Sequence, residues 1–370
     1  MTLSIWNHRG PVTGPWTKKQ GETLTLGFIG GSITDGRPRH NWPEPVTAWI
    51  VEQLPGVHIA VENAGIGATG SDLGSLRAER DLIDRGTELV FVEFAVNDYD
   101  EPVEKRGRTL EGLLRKLLAD PKREVVLVYT YIQSMYEYMM KDEKPPIIAQ
   151  YEAIAEHYGL SSVWMGLHAL DEVKRGHMRW EEWLPDGLHP TNRGSYSYGT
   201  SVIRFLAAER ERSLTEAEAA SWLERRQTAM EKPLDPRNWQ SASLVELTDV
   251  QTTGPWVLRR LNGIPWIDRT LETAAVGAKL SFTFHGRGVA LGFDFGKTSA
   301  EFRYRLDGGE WQTEVRERPD WVGTDGWFRL SILALDLEIG DHTCEIEVIH
   351  GKSSNCNGTN FRLGLIGQLP

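Results

Sequence analysis

The stretch LTLGFIGGSITDG, residues 24–36, decides how this sequence is interpreted. It begins with a short β-rich apolar run, which is typical of a strand buried on both faces of a parallel sheet. Small residues follow, and they place Ser32 directly after the strand. Ser32 is therefore either a nucleophile or one polar residue of an ordinary strand-to-helix turn. Residues far along the chain distinguish the two.

Further apolar runs follow Ser32 and alternate with helical patterns. Strands are predicted at 24–30, 58–64, 88–96, 124–132 and 161–166, and helices at 43–54, 71–85, 106–119, 146–158 and 193–210. Strands that alternate with helices predict a three-layer α/β/α domain with a parallel sheet and helices on both faces. In such sheets ligands bind beyond the carboxyl ends of the strands, which is where Ser32 lies.

The pattern changes after residue 212. Residues 213–239 predict a solvent-facing helix that opens with a capping box, followed by a proline-containing linker. Residues 240–370 contain short alternating runs between turn residues, which predicts an all-β, jelly-roll-like sandwich. The expected α/β domain is 21–212. Residues 1–20 do not fit its pattern and form an N-terminal extension, for which packing on the β domain is an open alternative.

Charge and composition restrict the classes of function. The chain has 370 residues, a formal net charge of −11 and a pI near 5.5, which disfavours nucleic acid or an anionic membrane as a partner. We see no signal peptide and no run near the ~18 apolar residues of a membrane span, so we expect a cytoplasmic protein. Cys344 and Cys356 form neither a disulfide framework nor a zinc pattern. The sequence predicts no metal and no cofactor.

Four segments near predicted strand ends carry the chemistry: GGSIT (30–34), NAGIGATG (63–70), AVND (95–98) and DGLHP (186–190). A serine hydroxyl is a weak nucleophile and needs a base within hydrogen-bond reach. His189 can be that base, and Asp186 can hold the imidazole in the useful tautomer. We therefore predict Ser32, Asp186 and His189 as catalytic residues. The missing P-loop lysine disfavours nucleotide binding.

Attack on an ester carbonyl builds negative charge on its oxygen, which requires hydrogen-bond donors already in place. The Ser32 backbone N–H can be one donor, and the side-chain amide of Asn97 can be another. The loop at 65–68 can supply a third. Either Gly67 or Ala68 can provide that N–H, and the sequence leaves the choice open.

In order and spacing, these segments resemble the four sequence blocks of the SGNH hydrolase (GDSL esterase/lipase) superfamily over about residues 22–210. The resemblance implies a flavodoxin-like fold, and it supports the catalytic residues and oxyanion donors just named. Three positions depart from the family pattern. Gly31 stands where aspartate is usual, Ala68 where an oxyanion-hole glycine is common, and Ala95 where the third block begins with glycine.

Tryptophans and the extra domain bear on the substrate. Of fourteen tryptophans, eight lie near predicted loops: Trp42, Trp180, Trp183, Trp256, Trp266, Trp311, Trp321 and Trp327. Flat aromatic faces suit sugar rings, and family members with an extra β domain are often carbohydrate O-acetylesterases. We expect a serine esterase that removes O-acetyl groups from oligosaccharides through an acyl-enzyme. The alternatives are a general short-chain esterase or thioesterase, and an inactive carbohydrate-binding protein. Homo-oligomers stay open.

Overall fold

The chain folds into two units, Met1–Gln240 and Ser241–Pro370. The computed structural model describes residues 3–36, 41–212, 214–260, 267–314, 327–354 and 356–370, with the backbone alone at 294 and 295. Within those ranges, no helix combines the length and the apolar character needed to span a membrane.

The first unit is built on a six-stranded sheet. Its strands are β1 (Trp6–Asn7), β2 (Thr23–Gly30), β3 (His58–Gly65), β4 (Leu89–Glu93), β5 (Glu124–Val128) and β6 (Ser161–Val163). They lie in the order β1-β6-β5-β4-β2-β3. Strands β2 to β6 pair in parallel, and β1 pairs antiparallel with β6. All five residues of β4 are buried, as expected for a strand covered on both faces.

Helices cover the two faces of this sheet. They are α1 (Pro43–Gln53), α2 (Ser71–Ala78), α3 (Val103–Leu118), α4 (Tyr136–Met140), α5 (Pro146–His157), α6 (Met165–Lys174), α7 (Trp180–Trp183), α8 (Asn192–Glu211) and α9 (Glu216–Glu231). A π-helical turn, Glu79–Ile83, extends α2. Helices α2, α3 and α5 form one packed group, and α1, α6 and α8 form another. The predicted three-layer α/β/α architecture is confirmed.

The sheet topology places Ser32 beside a switch point in the strand order. Strand β2 lies between β3 and β4, so the two strands that follow it in the sequence lie on opposite sides of it. In doubly wound sheets this switch point is where ligands bind, at the carboxyl ends of the strands. Ser32 follows β2, and Asn97 lies four residues after the end of β4.

Two segments expected outside the α/β domain belong to the first unit. Residues 1–20 contribute the edge strand β1. Residues 213–239 contain α9, which is anchored on one face. There Trp222 Nε1 donates to the Gly159 carbonyl oxygen over 3.0 Å, and Arg115 donates to the last turn. The first unit ends at Gln240, so the extension and the helix with its linker are both part of it. A two-residue strand and a helix with a one-sided anchor leave little periodic signal in the sequence.

The second unit is an all-β sandwich. Its strands are β7 (Ser243–Val245), β8 (Gln251–Thr253), β9 (Val257–Arg260), β10 (Arg269–Thr273), β11 (Lys279–Gly286), β12 (Gly288–Phe295), β13 (Glu301–Leu306), β14 (Gln312–Glu314), β15 (Trp327–Ala334), β16 (Gly340–Ile349) and β17 (Phe361–Leu369). One sheet has the order β15-β12-β17-β10-β9 with β7 on β17, and the other β14-β13-β16-β11-β8. Phe282, Phe293 and Phe302 belong to its apolar core. The all-β prediction is confirmed.

Candidate active site

Ser32 lies in the turn that follows β2. The N–H groups of Thr34 and Asp35 both donate to the Gly31 carbonyl oxygen, at 3.1 and 3.0 Å, and close this turn. Ser32 is partly exposed. Its Oγ lies 2.9 Å from Nε2 of His189, 157 positions away in the sequence. The serine hydroxyl and the imidazole are therefore within direct hydrogen-bond reach.

His189 is held by the loop between α7 and α8. Its Nδ1 lies 2.9 Å from Asp186 Oδ2. The other oxygen of Asp186 accepts the backbone N–H groups of Leu188 and His189, at 2.9 and 2.7 Å. Gly187 has φ +78°, a left-handed conformation that glycine adopts without steric cost. One carboxylate thus fixes both the loop and the ring.

The ionisation of Asp186 suits this arrangement. Burial alone would raise its pKa, but the hydrogen bonds from His189 and Leu188 outweigh burial and hold the pKa below the ordinary value. An ionised carboxylate at Nδ1 favours the tautomer with its proton on that nitrogen. The Nε2 atom is then left free to accept the proton of Ser32.

The connection that leads to His189 differs from the expectation. The sequence analysis predicts no helix between the strand at 161–166 and this segment, whereas α6 and α7 fill that connection. The loop is then tied to the segment after β5, because the Gln133 N–H donates to the Gly187 carbonyl oxygen over 3.2 Å. At its other end the Thr191 N–H donates to the Trp183 carbonyl oxygen over 3.0 Å.

Asn97 lies directly against the backbone at Gly31. A Cβ at position 31 would come within 1.9 Å of Asn97 Oδ1 and 3.0 Å of its Nδ2. Any side chain at position 31 would therefore displace the amide. The close approach gives a physical reason for glycine where the family usually has aspartate.

The loop after β3 brings backbone donors to the same place. A Cβ on Gly67 would lie 3.7 Å from Ser32 Cβ, and Ala68 has φ +58°. Turns of this kind can direct successive N–H groups toward one anion. Within the part of the chain that the structure describes, the N–H groups of Ser32, Gly67 and Ala68 and the amide of Asn97 have no intramolecular acceptor. Gly67 and Ala68 both stay candidates.

One of the eight tryptophans lies beside the His189 loop. Trp180 is partly exposed, and its ring centroid lies 5.8 Å from Tyr131, 6.0 Å from Tyr136 and 5.1 Å from Trp183. Of the others, Trp42 and Trp183 are fully buried, Trp256, Trp311 and Trp327 are in the second unit, and Trp266 and Trp321 lie outside the described residues.

The structure adds a residue that the sequence analysis misses. Glu93, the last residue of β4, is completely buried. Its carboxylate accepts the hydroxyls of Thr34 and Thr130, at 3.0 and 2.7 Å, and the backbone N–H of Gly31. Burial raises its pKa to about 7. The available signal was one glutamate inside the apolar run ELVFVEFAV.

Comparisons with known proteins give a family match and similar folds. Residues 28–195 match the model of the GDSL-like lipase/acylhydrolase family. A search of the curated proteins found no match. A solved two-domain esterase (CEX) active on acetylated mannans is 22% identical, with a TM-score of 0.76 over 94% of this chain and 91% of that one. At this identity the likeness shows the fold.

A second solved structure resembles part of the chain. It is Axe2, an acetylxylan esterase from Geobacillus stearothermophilus, which is 24% identical with a TM-score of 0.40. The similarity covers 52% of this chain and 96% of that one. The family match and the fold lead to one conclusion: residues 28–195 are similar to the GDSL-like lipase/acylhydrolase family, and the protein is a carboxylic ester hydrolase.

Proposed function

We propose that the protein is a serine esterase that removes O-acetyl groups from oligosaccharides through an acyl-enzyme intermediate. The observation that carries the proposal is the continuous contact from Ser32 Oγ to His189 Nε2, at 2.9 Å, and from His189 Nδ1 to Asp186 Oδ2, at 2.9 Å. A nucleophile, a base and a group that orients the base form the arrangement needed for acyl transfer.

In the first step Ser32 Oγ attacks the acetyl carbonyl carbon while His189 Nε2 takes the hydroxyl proton. The carbonyl oxygen becomes negative. It would be held by the Ser32 N–H, by the N–H of Gly67 or Ala68, and by the Asn97 amide. Loss of one such donor costs about 100- to 1000-fold in rate.

As the intermediate collapses, the bond to the sugar oxygen breaks and His189 donates its proton to that oxygen, so that the sugar leaves with a free hydroxyl and an acetyl ester remains on Ser32. His189 then accepts a proton from water, and the water oxygen attacks the acetyl carbon. The proton returns to Ser32 Oγ as acetate departs. Asp186 stays ionised throughout and stabilises the imidazolium that forms in each half.

Two observations support an acetylated oligosaccharide as the substrate. The solved esterase with the same two-domain fold is described as active on acetylated mannans. In this chain, Trp180 presents a partly exposed ring beside the His189 loop, within an aromatic cluster that includes Tyr136. An aromatic face of this kind suits the C–H groups of a sugar ring.

The test is the hydrolysis of p-nitrophenyl acetate and of acetylated manno- and xylo-oligosaccharides by Ser32→Ala. We expect kcat to fall by about 10⁴-fold or more on every substrate, since the nucleophile is gone. Ser221→Ala is the matched control, because Ser221 is an exposed serine of α9, and it should behave as the wild type. Full activity in Ser32→Ala would refute the proposal.

The substrate class is tested by the ratio of kcat/KM values. Preference for acetylated oligosaccharides over p-nitrophenyl acetate and acetyl thioesters supports the proposal. Equal or lower values for the oligosaccharides indicate a general short-chain esterase or thioesterase. Binding of oligosaccharides without turnover by the wild type indicates an inactive carbohydrate-binding protein.

A further inference from the structure

We propose that Glu93 is a positioning residue for the nucleophile. Its buried carboxylate holds the turn that carries Ser32, so that the hydroxyl and backbone N–H of Ser32 keep their places relative to His189 and Asn97. This inference rests on the proposed function of Ser32. It assigns Glu93 no contact with the substrate.

The first support is the origin of the donors that surround Glu93. Two of them, the Gly31 N–H and the Thr34 hydroxyl, belong to the Ser32 turn and flank the nucleophile. The third, the Thr130 hydroxyl, lies just after β5 and donates over 2.7 Å. The carboxylate therefore joins the Ser32 turn to the centre of the sheet through a residue that is itself completely buried.

The second support is the way the sequence makes room for this carboxylate. A Cβ on Gly30 would lie 2.9 Å from Glu93 Oε2 and 2.6 Å from both the Glu93 carbonyl oxygen and Thr34 Oγ1. Only a residue without a side chain lets the turn approach β4 this closely. Thr34 is fixed in turn by the Trp42 indole N–H, which donates to its hydroxyl oxygen over 3.1 Å.

The third support is the cost of a buried carboxylate. Burial disfavours the charged form, and an apolar side chain of similar volume would avoid that penalty. Leu89, Val90, Phe91 and Val92, the rest of β4, are apolar and buried. An acid at the one position of the strand that adjoins the Ser32 turn therefore indicates a local requirement for an acceptor. The Gly31 N–H and the two threonine hydroxyls are the donors that require this acceptor.

Glu93→Gln tests the role, because glutamine keeps the volume but replaces one acceptor oxygen by a donor. We expect kcat for p-nitrophenyl acetate to fall about 10- to 100-fold, as when reacting groups are misplaced by a fraction of an ångström. KM should change by less than about threefold, because the Ser32 hydroxyl and N–H stabilise chiefly the transition state and the groups that bind the sugar are unaltered. The rate of acetylation of Ser32, followed by rapid quench, should fall in parallel with kcat.

Glu111→Gln is the matched control. Glu111 is equally buried, 1% exposed, and accepts the backbone N–H groups of Leu234 and Asp235 in a region without catalytic residues. The Glu111→Gln variant should have a lower melting temperature than the wild type but the same kcat. A role of Glu93 that is only structural predicts that both variants lose stability and that neither loses kcat, and this result would overturn the proposal.

Thr130→Val serves if Glu93→Gln does not fold. It removes one donor to Glu93 and leaves the Ser32 turn itself unchanged, and we expect kcat to fall about 3- to 10-fold with KM unchanged. Wild-type kcat in Thr130→Val and in any folded Glu93→Gln refutes the inference. Ser32→Ala tests the proposed function separately. If Ser32→Ala is inactive and Glu93→Gln is fully active, only the role of Glu93 is rejected.

Discussion

Ala68 has the left-handed backbone conformation, with φ +58°. A residue with a Cβ is disfavoured there by roughly 1–2 kcal/mol, whereas glycine adopts it freely. The strained alanine lies in the loop that brings backbone N–H groups to Ser32, where the resemblance places a common glycine. Strain of this kind collects at functional sites.

Ala68→Gly should therefore stabilise the protein by up to about 1 kcal/mol, as relief of the Cβ clash exceeds the added entropy of the unfolded chain. Its kcat/KM should stay within about threefold of the wild type, because every backbone N–H is kept. Urea unfolding and hydrolysis of p-nitrophenyl acetate measure the two effects. In Ala60→Gly, a matched change inside β3, stability should drop by about 0.5–1 kcal/mol. An equal loss in Ala68→Gly would contradict the account.

Single residues show where sequence reasoning succeeds and where it ends. Ser32, His189 and Asp186 could be singled out because their chemistry is specific and their segments have a fixed order. Glu93 could not, because a lone acid in an apolar strand does not reveal which N–H groups surround it. The choice between Gly67 and Ala68 depends on the direction of two N–H groups, which no residue type specifies.

The segment after β5 and the short helix α7 form the wall of the site that holds the His189 loop. The Gln133 N–H binds the loop at Gly187, and Trp180 packs against Tyr131 and Tyr136. A helix of four residues has no room for a helical period, so α7 gave no pattern to detect.

Trp180→Ala should raise KM for acetylated oligosaccharides about 3- to 10-fold, because about 0.5–1.5 kcal/mol of aromatic contact is lost. KM for p-nitrophenyl acetate should change much less, since that substrate has no sugar ring. Trp16→Ala is the control. Trp16 packs on Trp49 and precedes the amino end of β2, at the sheet edge opposite Ser32. Equal effects on both substrates in Trp180→Ala would remove Trp180 from sugar recognition.

Long elements were predictable and short ones were not. The predicted strand at 58–64 is β3 less one residue, and the predicted strand at 24–30 is β2 less one residue. Both have enough residues for a clear apolar or alternating pattern. Strand β1 has two residues and owes its existence to pairing with β6, which is a tertiary contact and leaves no local signal.

The first unit as a whole buries two acids close to the site. Glu93 and Asp98 both have a pKa raised to about 7, chiefly by burial. The negative charge of Asp98 also raises the pKa of Glu93, and that of Asp72 raises the pKa of Asp98. Tyr151 and Tyr198 interact electrostatically with Glu93 as well. Between the ordinary carboxyl pKa and about 7, the folded protein keeps protons that the unfolded chain has lost. The contribution of these groups to stability therefore falls as pH rises through that interval.

This gives a prediction for the difference in unfolding free energy between the wild type and Glu93→Gln. Glutamine cannot ionise, so it adds no such pH dependence. The unfolding free energy of the wild type minus that of Glu93→Gln should therefore decrease by up to about 3 kcal/mol between about pH 4.5 and about pH 7.5. Urea unfolding of both proteins at several pH values measures it. A difference that stays constant, or that rises with pH, would show that Glu93 does not ionise in this interval in the folded state.

The central claim is that Ser32 Oγ, activated by His189, is the atom that receives the acyl group. The most direct measurement is mass spectrometry of peptides after an acid quench within the first turnover of p-nitrophenyl acetate. The account predicts one acetyl group on the peptide that contains Ser32, and none on that peptide in His189→Ala. Turnover with an acetyl group on another residue, or without any acetylated peptide, would contradict it.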